Sequence, residues 1–302
     1  MTLTAFLCIF ASVFLHASWN FLSKKTQPSL AFYMVMTCTA ATIWLPFFCM
    51  MDFPFAELSP AFYWVLAASI AGEVLYTIGL AYAYRKGDIS LVYPVVRALP
   101  VLMVAGCVWL FRLGREFTVT ALIGMGVIFV GCLLMPLTGF RRKEIRIPSG
   151  SLIPFILLGA AGTTLYTILD KEALRMLGNT SAGGALLLTP AYLFLVEFGF
   201  ALSLVTIVAS VPELRTEFRQ LKKQIFTPMM AGCCSSIAYV LVLFAMRSAE
   251  NAAYVQAFRQ MSLPIGFLAG VLWLKEPCCP PKVIGLIFVL TGLILTALGS
   301  YN

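Results

Sequence analysis

Six charged residues sit inside stretches otherwise suited to hydrocarbon: Glu73, Arg97, Asp170, Lys171, Glu197 and Arg259, with His16 and Asn20 as uncharged polar companions. A charge at mid-bilayer costs about 2.5–3.5 kcal/mol on insertion scales, so each needs a partner or a purpose. Arg97 has Tyr93 four residues before it, and Arg259 is flanked by Gln256 and Gln260. A guanidinium fork grips carboxylate or phosphate at two points. Two of them on one cavity favour an anionic or zwitterionic solute. The other reading is that each arginine only neutralises a carboxylate, such as Glu73 or Glu197, and ties helices together. The spacing leaves both open.

Glu73 shares a helix face with Tyr76 and lies one turn from Ser69. A carboxylate in a dry cavity can carry a proton. Glu197, mid-helix, is a second candidate. His16 is a third, although an interior hydrogen-bonded histidine fits it as well. In "LHASWNFLSKK" (15–25), His16 and Asn20 share a stripe beside Trp19, and lysines close the segment. Tyr166 and Asp170 repeat that four-residue stripe, but Asp170–Lys171 sits close to a membrane face, where a local ion pair is the alternative reading. Trp19, Tyr76, Tyr93, Tyr166 and Tyr239 would supply aromatic walls.

The chain that must position these groups has 302 residues, 61% hydrophobic and 11% charged, with a mean hydropathy of +0.93. That composition cannot present a wetted surface and predicts an all-α integral membrane protein. Ten apolar runs are expected as transmembrane helices, at about 3–23, 30–50, 60–84, 89–111, 118–138, 151–173, 183–209, 228–247, 252–274 and 282–299. The link 211–226 has helical charge spacing and suits the membrane surface. The net charge of +8 fits loops obeying the positive-inside rule rather than nucleic acid. The nine cysteines show no C-x-x-C or zinc spacing and read as small apolar residues, so no metal or cofactor is expected. Without a basic leader or cleavage site, the first run reads as a retained helix rather than a signal peptide.

The chain also repeats itself. "RALPVLMVAGCVWL" (97–110) parallels "RQMSLPIGFLAGVLWL" (259–274). Gly124/Gly131 parallels Gly285/Gly292, and Trp19-x4-Lys24 parallels Tyr166-x4-Lys171. Five spans duplicated, as 1–140 and 151–302, force the second copy to enter from the opposite side. That gives two inverted five-helix repeats, with a site between them. Leu99–Pro100 and Leu263–Pro264 suggest symmetric bends, and Pro190 a third interruption. The Gly-x6-Gly faces of spans five and ten suit close packing as scaffold. Links after odd spans hold most of the Lys and Arg, including Arg85, Lys86, Arg141, Arg142, Lys222 and Lys223. Links after even spans hold Arg112, Arg115, Arg175 and Arg247. Both termini are therefore expected outside the cytoplasm.

This ordered pattern resembles the ten-helix EamA type of the drug/metabolite transporter superfamily. The resemblance rests on the opening stretch, the doubled Trp-Leu ending spans four and nine, Glu116 and Glu276 soon after, and Gly-x6-Gly in spans five and ten. It covers the whole chain. It implies a cavity lined by spans one, three, four, six, eight and nine, with five and ten peripheral. It also implies export or import of amino acids and other small metabolites by exchange or proton coupling at the inner membrane. The opening stretch faintly resembles a subgroup associated with phosphonate use. The expected partners are a small-molecule substrate and the lipid bilayer, for a monomer or weak homodimer. Within transport, the alternative is a proton-coupled exporter of cationic drugs, relying on Glu73 and the aromatics. Outside it, the rivals are a channel or non-transporting sensor, and a membrane enzyme, which would need clustered His, Asp and Ser that the chain lacks.

Overall fold

The computed structural model describes residues 3–24, 29–86, 89–114, 116–140, 150–249, 251–274 and 278–301. The side chain of Tyr93 and residues Lys25 and Glu276 lie outside that description. The helices run α1 (Leu3–Lys24), α2 (Leu30–Cys49), α3 (Pro60–Lys86), α4 (Ile89–Leu110), α5 (Val119–Leu134), α6 (Ile153–Gly178), α7 (Leu188–Ser210), α8 (Pro212–Leu221), α9 (Phe226–Ser248), α10 (Ala252–Phe258), α11 (Ser262–Leu274) and α12 (Pro280–Tyr301). Among the described residues there is no strand, and seven helices are long and apolar enough to cross a membrane. A helix satisfies its backbone internally, which is what hydrocarbon demands. Helix starts use side-chain caps: Ser29 Oγ accepts from Phe32 N at 3.3 Å and Thr118 Oγ1 from Ala121 N at 3.2 Å.

Three sequence expectations need correction. The run 252–274 is not one helix: a 3₁₀ turn, Arg259–Met261, separates α10 from α11. Pro264 explains it, because its ring lacks an N–H for the Gln260 carbonyl and crowds it. The bends are not symmetric, since α4 continues through both Pro94 and Pro100. Pro190 lies in the first turn of α7, where no helical hydrogen bond is lost. The charged link does form a helix, α8, as its spacing suggests.

Packing is pairwise: α3 lies mainly on α6, α1 on α9, α2 on α7 and α5 on α12. Glycines allow the closest approaches. A Cβ at Gly124 would lie 2.8 Å from Gly292 O, and one at Gly131 would lie 2.7 Å from Gly285 O. As α5 ascends from 124 to 131, its contact on α12 descends from 292 to 285, so the two helices are antiparallel. Gly72 and Gly79 meet the Tyr166 and Gly159 backbones in the same descending sense, making α3 and α6 antiparallel too. Large apolar side chains such as Phe14, Trp64, Phe198, Leu202, Ile294 and Leu298 face outward, as a lipid-facing surface requires.

Candidate functional site

A cavity of about 90 Å³ opens between α1, α2, α3, α6, α7 and α9, beside the break after α10. That is room for several waters or a small solute. Of the residues expected at a site, it is lined by His16, Trp19, Glu73, Tyr76, Tyr166, Tyr239 and Arg259, and also by Glu197. Asn20, Arg97, Gln256 and Gln260 are not among the lining residues. The lining also departs from what the family resemblance implies: α2 contributes Tyr33, Met36, Thr37 and Ala40, and α7 contributes Val196 and Phe200.

Arg97 is buried in a bonding network. Its Nη2 donates to Arg259 O at 2.9 Å and to Ser262 Oγ at 3.0 Å, and Nε donates to Gln260 Oε1 at 3.4 Å. Its Nη1 also contacts His16 Nε2. The expectation of two guanidinium groups facing one hollow therefore holds for Arg259 alone. At the helix break the Arg259 carbonyl is open to Arg97 as well as to the Ser262 N–H and hydroxyl. Asn20 turns its amide back to His16 O at 2.7 Å, the local side-chain-to-backbone bond favoured by a short amide. Gln256 and Gln260 bond within the break, with Gln260 Nε2 donating to Gln256 O at 3.3 Å.

His16 has a donor at each ring nitrogen. Trp19 Nε1 donates to Nδ1 at 3.0 Å, and Arg97 faces Nε2. Both groups are donor-only. A neutral imidazole satisfies one of them and an imidazolium satisfies neither, so the geometry argues against His16 as a proton carrier.

Arg259 and Glu73 present the exposed chemistry of the cavity. Among the described residues no carboxylate lies within ion-pair distance of Arg259, and Glu73 accepts no hydrogen bond. Arg259 Nη1 donates to Gln256 Oε1 at 3.4 Å, and its guanidinium stacks over the Tyr239 ring at 5.7 Å. The tyrosine walls meet edge to face, Tyr76–Tyr166 at 6.0 Å and Tyr166–Tyr239 at 5.9 Å. Glu197 is partnered: Thr37 Oγ1 donates to its Oε2 at 2.6 Å.

Asp170 was under-read. It forms no local pair with Lys171, whose Nζ donates to the Ala249 carbonyl at 2.5 Å and to that of Met246. Instead Asp170 is fully buried and accepts from Ser69, from Tyr192 at 2.7 Å and from Tyr239. The Tyr166–Asp170 stripe was a usable signal for it. Thr37 had a weaker one: Tyr33 and Thr37 are a four-spaced polar pair on span two, and mid-helix Glu197 needed a partner.

No protein-family model and no curated protein matches this chain. A solved crystal structure is similar over 100% of this chain and 99% of its own, with a TM-score of 0.72 at 12% identity. That likeness establishes a shared fold.

Proposed function

We propose that the chain is a secondary transporter of the EamA type, moving a small zwitterionic or anionic metabolite across the inner membrane by alternating access. The observation that carries this reading is the pairing of chemistries in one cavity. Arg259 offers a cation with no carboxylate partner, and Glu73 a carboxyl group with no hydrogen-bond donor. A buried charge left without a partner is costly unless a ligand uses it. An amino acid brings the complement, its carboxylate to Arg259 and its ammonium to Glu73.

On this reading the chain crosses ten times. The seven apolar helices are joined by α4, α5 and the broken α10–α11 pair. The inverted repeat draws support from the antiparallel contact of α5 with α12, the spans that correspond between the halves. The packing partners support it as well: exchanging each span for its counterpart five places on turns the α3–α6 pair into the α9–α1 pair. The ends of the bundle also differ. Most basic links lie at one end, and the lining residues of α1, α2 and α9 straddle the middles of their helices. The opposite end is tied by Glu57 to Ser181 N at 2.7 Å and by Arg247 to Thr189 Oγ1 at 3.0 Å. With basic links inside, this is a cavity at mid-depth beneath a tied outer end.

Proteoliposomes test the proposal. Saturable uptake of a labelled amino acid, carboxylate or phosphonate, accelerated by counter-loading, is expected. Flux that does not saturate would mean a channel, and no flux of any acidic solute would overturn the reading.

A further inference from the structure

The proposed transport chemistry leaves one buried carboxylate without a task. Asp170 is fully buried on α6 and is not among the cavity-lining residues. Its two oxygens have different partners: Oδ1 accepts from Ser69 on α3 and Tyr192 on α7, and Oδ2 accepts from Tyr239 on α9. Tyr239 does line the cavity, and its ring lies beneath the Arg259 guanidinium at 5.7 Å. Tyr166 closes on that ring edge-on, at 5.9 Å and 85°. A tyrosine hydroxyl lies on the axis of the outer torsion, so its bond to a charged acceptor fixes the inner torsion and the place of the ring, while the edge-on Tyr166 limits rotation of the ring plane. The strength of a cation over a ring depends on that placement.

We infer that Asp170 is the positioning residue of the anion site: through Tyr239 it fixes the ring that holds Arg259 in the cavity. Oδ1 serves helix packing and Oδ2 serves the site. The Tyr239 ring also stands between Asp170 and Arg259, so this carboxylate forms no ion pair with the guanidinium. This rests on the carboxylate-binding reading above.

Purified protein in detergent, titrated by calorimetry with L-alanine, L-threonine and L-methionine and with the α-hydroxy acid of each, tests it. Asp170→Asn and Tyr239→Phe should each weaken both ligand classes about tenfold, the loss of one charge-assisted bond. The double variant should be no worse than either single one. Ser69→Ala and Tyr192→Phe break only the Oδ1 bonds. They should shift affinity less than twofold, even where they lower the melting temperature. Tyr239→Phe keeps the ring and its packing, so it reports on the site even where Asp170→Asn fails to fold. Unchanged affinity in Tyr239→Phe, or an equal loss in Ser69→Ala, would overturn the positioning role and leave the transporter reading standing. If wild-type protein binds none of the six probes, both fall.

Discussion

The guanidinium of Arg97 donates to the backbone carbonyl of Arg259, 2.9 Å away. The two arginines occupy matching places in the sequence repeat, yet one secures the backbone that presents the other. Ser262 Oγ donates to the same carbonyl at 3.0 Å and accepts from Arg97 at 3.0 Å. Removing the Arg97 donors leaves buried acceptors short, at about 1–3 kcal/mol for each such group. Arg97→Gln should therefore lower the melting temperature of the purified protein by several degrees, whereas Arg259→Gln should leave it nearly unchanged while abolishing uptake. Equal stability in the two variants would remove Arg97 from its structural role.

Glu73 faces the cavity without a hydrogen-bond donor. If it receives the ammonium of a zwitterion, Glu73→Gln should lower affinity for amino acids tenfold or more, the scale of a lost charge-assisted bond. Affinity for the matching α-hydroxy acids should change little. Competition assays on the same vesicles read both numbers. A parallel fall for both classes would place Glu73 away from the amine.

His16 stands between two donors, Trp19 and Arg97. Gln at this position retains an acceptor for one of them. Uptake by His16→Gln should therefore keep the wild-type dependence on pH, even where its maximal rate falls. A pH midpoint present in wild type and absent from the variant would make His16 the proton carrier after all.

The outcome for His16 and Arg97 shows what one-dimensional spacing carries. Most helix positions, the Gly-x6-Gly packing faces and the placement of Trp19, Glu73, Tyr76, Tyr166, Tyr239 and Arg259 on one cavity were legible. Each follows from periodicity, or from the cost of a polar group in lipid. The division of labour between the arginines was not, because it depends on a helix break that Pro264 produces and Pro100 does not. Identical Leu-Pro pairs met different surroundings. Asp170 is hard to read for a related reason: its partners Ser69, Tyr192 and Tyr239 come from three other helices, whereas the sequence displays only its adjacency to Lys171 and its stripe with Tyr166.

Glu57 ties the link after α2 to the loop between α6 and α7. Its carboxylate accepts from Ser181 N at 2.7 Å and from the Ser181 hydroxyl. The hydroxyl bond first, and then the backbone bond, hold its pKa below the usual carboxylate value. A depressed folded-state pKa gives stabilisation that is present above the ordinary value and lost as pH falls through the folded one. The protection factor of the Ser181 amide, taken relative to the slower intrinsic exchange in acid, should therefore fall as the solution is acidified below the ordinary carboxylate range. Glu57→Gln should remove that pH dependence. An acid response that survives in Glu57→Gln would assign the closure of this end to other groups.

The contact of α5 with α12 is one of the two closest glycine-lined helix approaches, with that of α3 on α6, among the described residues. A Cβ on Gly124 would lie 2.6 Å from Thr296 N and 2.8 Å from Gly292 O, and one on Gly292 would lie 2.6 Å from Gly124 O. Backbone atoms cannot swing aside as a side-chain end can, so the helices themselves must separate, and dispersion contacts are lost along their length. Gly124→Ala and Gly292→Ala should each reduce the yield of folded protein and its melting temperature. Gly126, on the same helix, has nothing within 4 Å of its would-be Cβ. Gly126→Ala should be neutral or stabilising, by up to about 1 kcal/mol of helix propensity. Because these residues lie away from the cavity, the surviving folded fraction of each variant should bind substrate with wild-type affinity. A changed affinity would mean that the α5–α12 contact moves with the site and is not a fixed frame for it.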